Sequence, residues 1–385
     1  MSFIQTKQVE PVVATANRAE FRLEAGAYLT NWRLAELGAV TNLQSPYCSS
    51  SGVYSLLENS TLYVDNCEVD STRDVGFHSA FINTLSSNEN SYAMNEQTAG
   101  VYWGFKVNKD DDLLQHISAA APHQGNTTTA TTFHGTADAG RMLGYCSSTP
   151  AMYARDNIRI VIEYKRNVPA NVYTLGGVTS YTPIRPLLFV DVLMGDYKMP
   201  SKVPYYSWEN DRNNVAVSVD GVAQRTDAKV NGYNGKFVQR LMMAVQPLVA
   251  GGNMGLNQSL RQVNQVVNWR LNGAVVFPIL GQNSSAKALA EMSDTFGENN
   301  LPLGGNNAPQ LVALGDAHSV DTLNSRVAYN AYQVNEKIYD LVCEYSRTGD
   351  AVVPAGEASV NLVTYAECVK QLEYRGNGQL VVTYA

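Results

Sequence analysis

Histidines most often supply acid–base or metal chemistry, and the chain has five of them: His78, His116, His123, His134 and His318. None belongs to an H-E-x-x-H motif or to another spacing that would bring two imidazoles to one metal ion. His123 and His134 lie in the stretch 122–135, beside the threonine run 127–129. We interpret this stretch as a solvated loop, with a metal or catalytic role as the alternative.

Two further segments have the composition of an ion or phosphate site. The run Asp110–Asp112 could bind a divalent cation through its carboxylates, but it lacks the alternating acidic spacing of a calcium loop. Acidic residues also favour the start of a helix, and a plausible helix begins at Leu113. The glycine-rich stretch 251–255 is not followed by Gly-Lys-Ser/Thr, so we interpret it as a connector.

The chain also lacks the G-x-S-x-G sequence of a hydrolase nucleophile elbow. Paired carboxylates at a glycosidase-like spacing are not evident either. We therefore predict no catalytic residue, no cofactor-binding residue and no metal ligand, and a protein that is not an enzyme.

Tryptophans and cysteines are scattered singly. We expect the tryptophans to pack in the core, with a sugar-binding platform as the alternative; they are Trp32, Trp103, Trp208 and Trp269.

The cysteines form no C-x-x-C pair and suit a reducing compartment in which thiols behave as small apolar groups, although a disulfide remains open. They are Cys48, Cys67, Cys146, Cys343 and Cys368.

Charge is scarce in this sequence. Charged residues make up 16% of the chain, against about a quarter in an average protein, while there are 22 tyrosines. Neutral polar residues and tyrosine suit large subunit interfaces, because burying Lys or Glu there is costly; a loop-rich β protein is the alternative. The net charge of −7 gives no basic footprint for nucleic acid, so we expect no specific nucleic-acid binding.

The N-terminal segment lacks the apolar run of a signal peptide, and no run of about 18 apolar residues suggests a membrane-spanning helix. Residues 1–18 are polar and small, without a clear period. We therefore predict a flexible N-terminal arm that becomes ordered on assembly.

Most of the remaining chain alternates short strand-like runs with turn signals. Apolar and charged side chains alternate in residues 20–24, as in a half-buried strand, whereas the apolar run 186–193 suits a strand covered on both faces. Further strands are predicted at 61–64, 101–107, 158–164, 215–219, 237–242, 266–271 and 337–345. Asn-Gly or Asp-Gly turns, which favour tight hairpins, begin at Asn231, Asn234, Asn272, Asn377 and Asp220. The pattern predicts sandwiches or barrels.

Two helices are predicted, over Asp74–Leu85 and Ser284–Phe296. Each follows a strand, a tight turn and a short strand: 61–69 before the first helix and 268–276 before the second. This order recurs about 207 residues later, with a polar loop after each helix. We interpret it as an internal duplication, with convergent patterning as the alternative.

The order of these segments resembles that of double jelly-roll major capsid proteins. The segments that carry the resemblance are 21–23, 26–29 with Trp32, 52–57, 61–64 with Arg73, 143–145, 158–164, 185–191, and 271–273 with Pro278. The resemblance covers about residues 19 to 385. Within this group of proteins, the pattern is most similar to capsid proteins of polinton-like viruses and virophages. Tailless membrane-containing phages and adenoviruses belong to the same wider lineage.

The resemblance implies an all-β fold of two consecutive eight-stranded jelly rolls, with a few short helices and long loops. Their expected bounds are 1–18 for the arm, 19–198 for the first jelly roll and 199–385 for the second. It also implies homotrimeric, pseudo-hexagonal capsomers in the icosahedral shell of a double-stranded DNA virus. Loops 88–100 and 297–320 would form outward towers.

The partners implied are other copies, neighbouring capsomers, penton and minor capsid proteins, and in some relatives an internal membrane. The protein would be assembled inside the host cell and would reside in the virion. One alternative is a penton or minor capsid protein with one jelly roll and an added domain. Another is a carbohydrate-binding β-sandwich protein.

Overall fold

The structure of the chain is a computed structural model. The described residues are 3–41, 47–48, 52–79, 99, 131–165, 173–175, 181–195, 198, 200–216, 224–247, 265–275, 329–347, 359–375 and 379–385.

The first half contains twelve described strands. They are β1 Phe3–Val9, β2 Val13–Ala14, β3 Arg18–Leu29, β4 Arg33–Thr41, β5 Tyr47–Cys48, β6 Leu57–Val64, β7 Cys67–Arg73, β8 Thr131–Asp138, β9 Ala151–Tyr164, β10 Tyr173–Leu175, β11 Tyr181–Pro183 and β12 Leu187–Met194. Its short helical segments are a 3-10 helix at Gly52–Leu56, a helical stretch at 75–79, α1 Ala139–Met142 and α2 Gly144–Ser148.

The second half contains nine described strands. They are β13 Lys202–Ala216, β14 Gln224–Lys229, β15 Phe237–Pro247, β16 Gln265–Leu271, β17 Ala274–Val275, β18 Tyr329–Lys337, β19 Leu341–Arg347, β20 Ser359–Tyr374 and β21 Leu380–Tyr384.

Strand pairing in the second half is nested. β13 pairs with β20, β14 with β19, β15 with β18 and β16 with β17, so each antiparallel pair lies inside the previous one along the chain. The ribbon formed by these pairs then closes on itself through β15–β20 and β16–β19. Two sheets result, β13-β20-β15-β18 and β14-β19-β16-β17, with β21 added beside β20. Eight strands wrapped in this way form a jelly roll.

Strand pairs in the first half are nested as well. β1 pairs with β12, β4 with β11, β5 with β10 and β6 with β9. Here β12 pairs with both β3 and β4, which joins most strands into one 10-stranded sheet, while β5 and β10 form a separate pair. The described strands of the two halves belong to different sheets, and the predicted all-β architecture is confirmed.

The core of the first half forms because alternate residues of its strands face inward. In β3, Phe21 and Leu23 are buried while Arg22 and Glu24 are exposed, as the sequence pattern predicted. In β12, one face is buried but the other is only half-buried, so the predicted double coverage is wrong. The apolar residues on the half-buried face, such as Phe189, lack a second complete layer above them.

Two further predictions differ from the structure. Residues 3–9 of the expected flexible arm form β1, because the segment can complete a ladder along the free edge of β12. The predicted strand 337–345 is interrupted at Ile338–Asp340, where the chain turns between β18 and β19. The Asn272 side chain bonds to the backbone of this turn, which stabilises the interruption.

Several sequence predictions lie outside the described residues. They include the strand 101–107, the helix 284–296, the end of the helix 74–85, and the tower loops apart from Ala99. Within the described chain, no helix has the length and apolar character needed to cross a membrane.

Candidate functional site: the junction between the two halves

Polar and aromatic side chains from both halves meet between β7 and β13. The first half contributes Asp70, Asp74 and His78, and the second contributes Ser207, Trp208, Arg212 and Tyr365. We call these seven residues the junction. Asp70, Asp74 and His78 are 1%, 4% and 0% exposed, whereas the Arg212 side chain at the edge of the cluster is 38% exposed.

Asp70 in β7 is held by donors from three directions. Its Oδ1 accepts hydrogen bonds from the Ser207 hydroxyl at 2.6 Å and from the backbone N–H of Ser71 at 2.9 Å. Its Oδ2 accepts a bond from the backbone N–H of Tyr145 at 2.9 Å. Burial raises the pKa of Asp70 above its usual range, and these bonds, with the charge of Lys370, oppose the rise. The carboxyl group therefore links β7, α2 and β13.

Asp74, at the end of β7, binds two cations. The Lys165 ammonium lies 3.0 Å from Oδ1 and is itself only 5% exposed, while the Arg212 guanidinium contacts Oδ2. Arg212 belongs to β13 and Lys165 follows β9, so one carboxylate ties both halves together. Asp74 also has a left-handed backbone, with φ at 48°, where the chain leaves β7. A buried charge of this kind is tolerated only when it is paired.

His78 lies between aromatic rings of the second half. Its ring centroid is 5.0 Å from that of Trp208 and 5.0 Å from that of Tyr365, at tilted angles. Phe77 also approaches Tyr365, at 6.5 Å. Burial lowers the pKa of His78 to about 3, because a charged imidazole would lose its hydration here. The neutral ring therefore serves as a packing group at ordinary pH.

Beside this cluster, the backbones of α2 and β13 approach very closely. A Cβ atom on Gly144 would lie 2.6 Å from the carbonyl oxygen of Tyr206, closer than atoms can pack. The Ser148 hydroxyl accepts a hydrogen bond from the backbone N–H of Tyr206 at 3.0 Å. The Tyr205 hydroxyl donates to the Val69 carbonyl at 2.6 Å, and its ring packs on Tyr145. Glycine is required here for contact rather than for a turn.

The C-terminal strands extend the same contact. Leu380 and Val382 of β21 pack against a core cluster that consists mostly of first-half residues and also contains Val203, Tyr205 and Leu372. The Tyr374 hydroxyl donates to the Tyr153 carbonyl at 3.1 Å. Since β21 pairs with β20, the end of the chain fastens the second jelly roll onto the first.

A second ionic cluster supports the β13 side of this contact. The Glu209 carboxylate pairs with Lys370 at 3.1 Å and with Lys236, and accepts a bond from the Tyr384 hydroxyl at 2.5 Å. Burial tends to raise the pKa of Glu209, but the two ammonium groups hold it below its usual range. Both ammonium groups also lie over the Tyr384 ring.

This arrangement is suited to fixing two domains together. The acidic groups of the junction, Asp70 and Asp74, are bonded within the protein and are 1% and 4% exposed. Within the described ranges, no group of three His, Cys, Asp or Glu side chains could hold a metal ion. The buried and bonded carboxylates of Asp70 and Asp74 favour one relative position of the elements that carry them and their partners.

The residues considered from sequence behave as follows. Trp32 and Trp208 are buried, which confirms the core assignment for these two. His134 is exposed and lies 3.2 Å from the Glu36 carboxylate. Cys67 and Cys146 are partly buried, while Cys343 and Cys368 are buried, and all four are free thiols. Residues 110–112, 116, 123, 251–255 and 318 and Trp103 lie outside the described chain.

Sequence reasoning missed Asp70 and Asp74. The run 68–74 contains six polar or charged residues that suggest a solvated strand. Their partners Ser207 and Arg212 are 137 and 138 positions away, so no local spacing reveals them. Only the alternation of Val69 with its polar neighbours indicated a strand with a buried face.

Comparison with known proteins gives structural likeness only. No protein-family model and no curated protein sequence matches the chain. The structure matches the Sputnik virophage structure with a TM-score of 0.65 at 9% identity, over 99% of this chain and 88% of the other. A PBCV-1 virus capsid model gives 0.60 at 11% identity, over 100% and 97%. The mavirus major capsid protein gives 0.56 at 7% identity, over 98% and 90%. Together with the nested pairing of both halves, these matches show that the chain has the double jelly-roll fold of viral major capsid proteins.

Proposed function

We propose that this chain is the major capsid protein of an icosahedral double-stranded DNA virus and forms homotrimeric, pseudo-hexagonal capsomers. The observation that carries the proposal is the presence of two jelly rolls in one chain, with the fold of major capsid proteins over nearly its full length. The penton or minor-protein alternative required a single jelly roll, and the nested strands of 202–347 and 359–374 provide a second.

The junction supports the same proposal. A capsid subunit must hold its two jelly rolls in a fixed relative orientation, because small rotations between them would disturb its contacts with neighbouring copies. Asp70, Asp74 and Gly144 restrain that rotation through buried contacts between β7, α2 and β13. Three copies would then supply six jelly rolls around one axis, which gives a nearly hexagonal outline from a threefold object.

The carbohydrate-binding alternative loses Trp208 as a sugar-stacking residue. Trp208 is 5% exposed and packs against His78, so it cannot stack on a sugar without unfolding the junction. We retain the structural, non-enzymatic function.

The remaining parts of the proposal concern context. We place the boundary between the jelly rolls near residue 198, which agrees with the separate sheets of 3–194 and 202–384. The partners are other copies in the trimer, neighbouring capsomers, and penton and minor capsid proteins, with or without an internal membrane. The site of action is the virion, after assembly in the host cell. Specific nucleic-acid binding is not part of the proposal, given the net charge of −7.

The mass of the purified protein in solution tests this function. Light scattering after size exclusion should give three times the 42.0 kDa of one chain, at micromolar concentration. Electron microscopy of negatively stained protein should show particles with a hexagonal outline. A stable monomer at that concentration, or a fivefold assembly, would contradict the major capsid assignment.

A further inference from the structure

β1 is an edge strand with one ladder. It pairs with β12 over seven residues, Phe3 with Met194 through Val9 with Leu188, without a register shift. No other ladder to β1 occurs in the described part of the chain. The backbone groups on its outer edge therefore lie free to bond with another strand.

β1 is also exposed on both faces. Six of its seven residues are exposed, and Phe3 and Ile4 are 60% and 57% exposed. A strand that buries so little and holds one ladder gains little from folding onto the sheet by itself. Covering its outer edge and its two large apolar side chains would add the missing stabilisation.

Three other edge strands carry features that discourage pairing. β18 contains a bulge, with Asn335 in the left-handed region at φ 54°. β11 has three residues and includes Pro183. β14 alternates charges at Arg225, Asp227 and Lys229. The sequence Phe-Ile-Gln-Thr-Lys-Gln-Val of β1 has no proline, no glycine and one charge.

This sequence is complementary to itself in antiparallel register. With Thr6 at the centre, Thr6 faces Thr6 of the second strand, Gln5 faces Lys7, Ile4 faces Gln8 and Phe3 faces Val9. Each Lys7 thus meets an amide rather than a second lysine, and Phe3 meets an aliphatic partner. Threonine pairs and aromatic–aliphatic pairs are favourable cross-strand neighbours.

We propose that β1 pairs antiparallel with β1 of a second copy of this chain, around a two-fold axis at Thr6, and joins two subunits edge to edge. The inference rests on the proposed function, because a closed shell places neighbouring capsomers in pairs related by such axes. The pairing would merge the first-half sheets of two subunits into one continuous sheet.

Cysteine cross-linking at β1 tests the register. In the proposed pair the two Cα atoms of residue 6 would lie about 5 Å apart, within disulfide reach. The two Cα atoms of residue 8 would be offset by four positions, about 13 Å along the strand, and out of reach. We expect Thr6→Cys, assembled and then oxidised with copper phenanthroline, to give a covalent dimer on a non-reducing gel. Gln8→Cys, on the same face, should give no more than the unmodified protein.

A charge pair at Gln5 tests the same contact without oxidation. Gln5→Glu places a carboxylate opposite Lys7 twice in the pair, while Gln5→Lys places like charges there. Within its own subunit residue 5 faces Val192, so neither variant meets a charged register partner on β12. Sedimentation should show association between capsomers raised about threefold or more by Gln5→Glu and lowered as much by Gln5→Lys.

The outcomes separate this inference from the proposed function. Residues 6 and 8 could cross-link equally, or not at all, in a protein that forms normal shells or trimers. That result would overturn the β1 pairing and leave the capsid assignment intact. Equal association of the Gln5→Glu and Gln5→Lys variants would do the same. Cross-linking at residue 6 in a protein that forms no trimer would support the pairing and contradict the capsomer.

Discussion

Asp65 and Asn272 occupy the same position in the two jelly rolls. Each begins the tight turn of a hairpin, β6–β7 or β16–β17, and each has a left-handed backbone, with φ at 47° and 49°. The next residues, Asn66 and Gly273, are left-handed as well, at 66° and 84°. Two consecutive residues with positive φ define the turn that matches the twist of a hairpin.

The two side chains also do the same work. The Asp65 carboxylate accepts hydrogen bonds from the backbone N–H groups of Arg155, Asp156 and Asn157, at 3.0, 2.7 and 3.1 Å. The Asn272 Oδ1 accepts bonds from the N–H groups of the turn between β18 and β19, Tyr339 at 2.8 Å and Asp340 at 3.1 Å. Each hairpin turn therefore fixes the chain beside it, and the shared device supports an internal duplication.

Alanine at either turn should destabilise its jelly roll. Asp65→Ala and Asn272→Ala each leave at least two backbone N–H donors without their acceptor. Each also places an alanine at positive φ, a conformation that Asp and Asn tolerate better because their side chains form local hydrogen bonds. We expect each to lower the free energy of unfolding by about 1–3 kcal/mol, measured by denaturant titration.

A conservative change at Asp65 provides the control. Asp65→Asn keeps one acceptor oxygen and tolerates the left-handed conformation, so it should lose less than half as much as Asp65→Ala. Equal losses for the two variants would show that the side-chain bonds to 155–157 contribute little.

The sequence predicted these hairpins but not what surrounds them. Asn272-Gly273 is a local signal, and the resulting turn follows from two adjacent residues. The break at Ile338–Asp340 was missed because it depends on the Asn272 side chain, 65 to 68 positions away. β1 was missed for a similar reason, since its ladder is formed with β12, far along the chain. These two features depend on long-range contacts, which local sequence patterns cannot predict.

The same limit applies to the junction. No sequence feature near Asp70 predicts its contact with Ser207. An isolated glycine such as Gly144 likewise gives no pattern that predicts a close approach of two backbones. The sequence did indicate that Trp208 is buried, because an apolar ring in a strand favours the core wherever its partner lies.

Gly144→Ala should loosen the contact between the jelly rolls. The new methyl group would overlap the carbonyl oxygen of Tyr206. The methyl carbon is attached directly to the α2 backbone and the oxygen belongs to the β13 backbone, so neither atom can easily move away. We expect a loss of about 1–3 kcal/mol in the free energy of unfolding. Gly140→Ala is the matched control in α1, where a Cβ would meet its neighbours at an ordinary 3.6 Å. A fall of the same size in the control would mean that the loss does not come from the junction.

Removing the Asp74 carboxylate should cost more. Asp74→Ala leaves the Lys165 ammonium buried without this anion, and the Arg212 guanidinium loses its contact too. We expect a loss of about 3–5 kcal/mol. The exposed pair Glu10–Arg185, at 2.7 Å, offers the comparison, since Glu10→Ala should change stability by less than about 1 kcal/mol. Chemical denaturation midpoints of the two variants, measured in parallel, test the difference.

Stability should fall in acid because of His78. An unfolded histidine has a pKa near 6.5, whereas burial between the rings lowers the pKa of folded His78 to about 3. Between these values the unfolded chain binds a proton that the folded chain does not, so stability decreases as the pH falls through this window. Asp70 acts in the opposite sense, because its raised pKa makes the folded chain bind a proton more readily as the pH falls.

Replacing the imidazole isolates its share of the acid response. His78→Phe keeps a ring between Trp208 and Tyr365 but removes the titration. From pH 6 to pH 4, the unfolding free energy of the parent should fall more steeply than that of the variant, by up to about 1.4 kcal/mol per pH unit. Phe77→Leu loosens the same ring cluster without changing a titrating group, so it should shift the whole pH curve downward in parallel. Parallel curves for His78→Phe and the parent would show that protonation of His78 does not contribute to the loss of stability in acid.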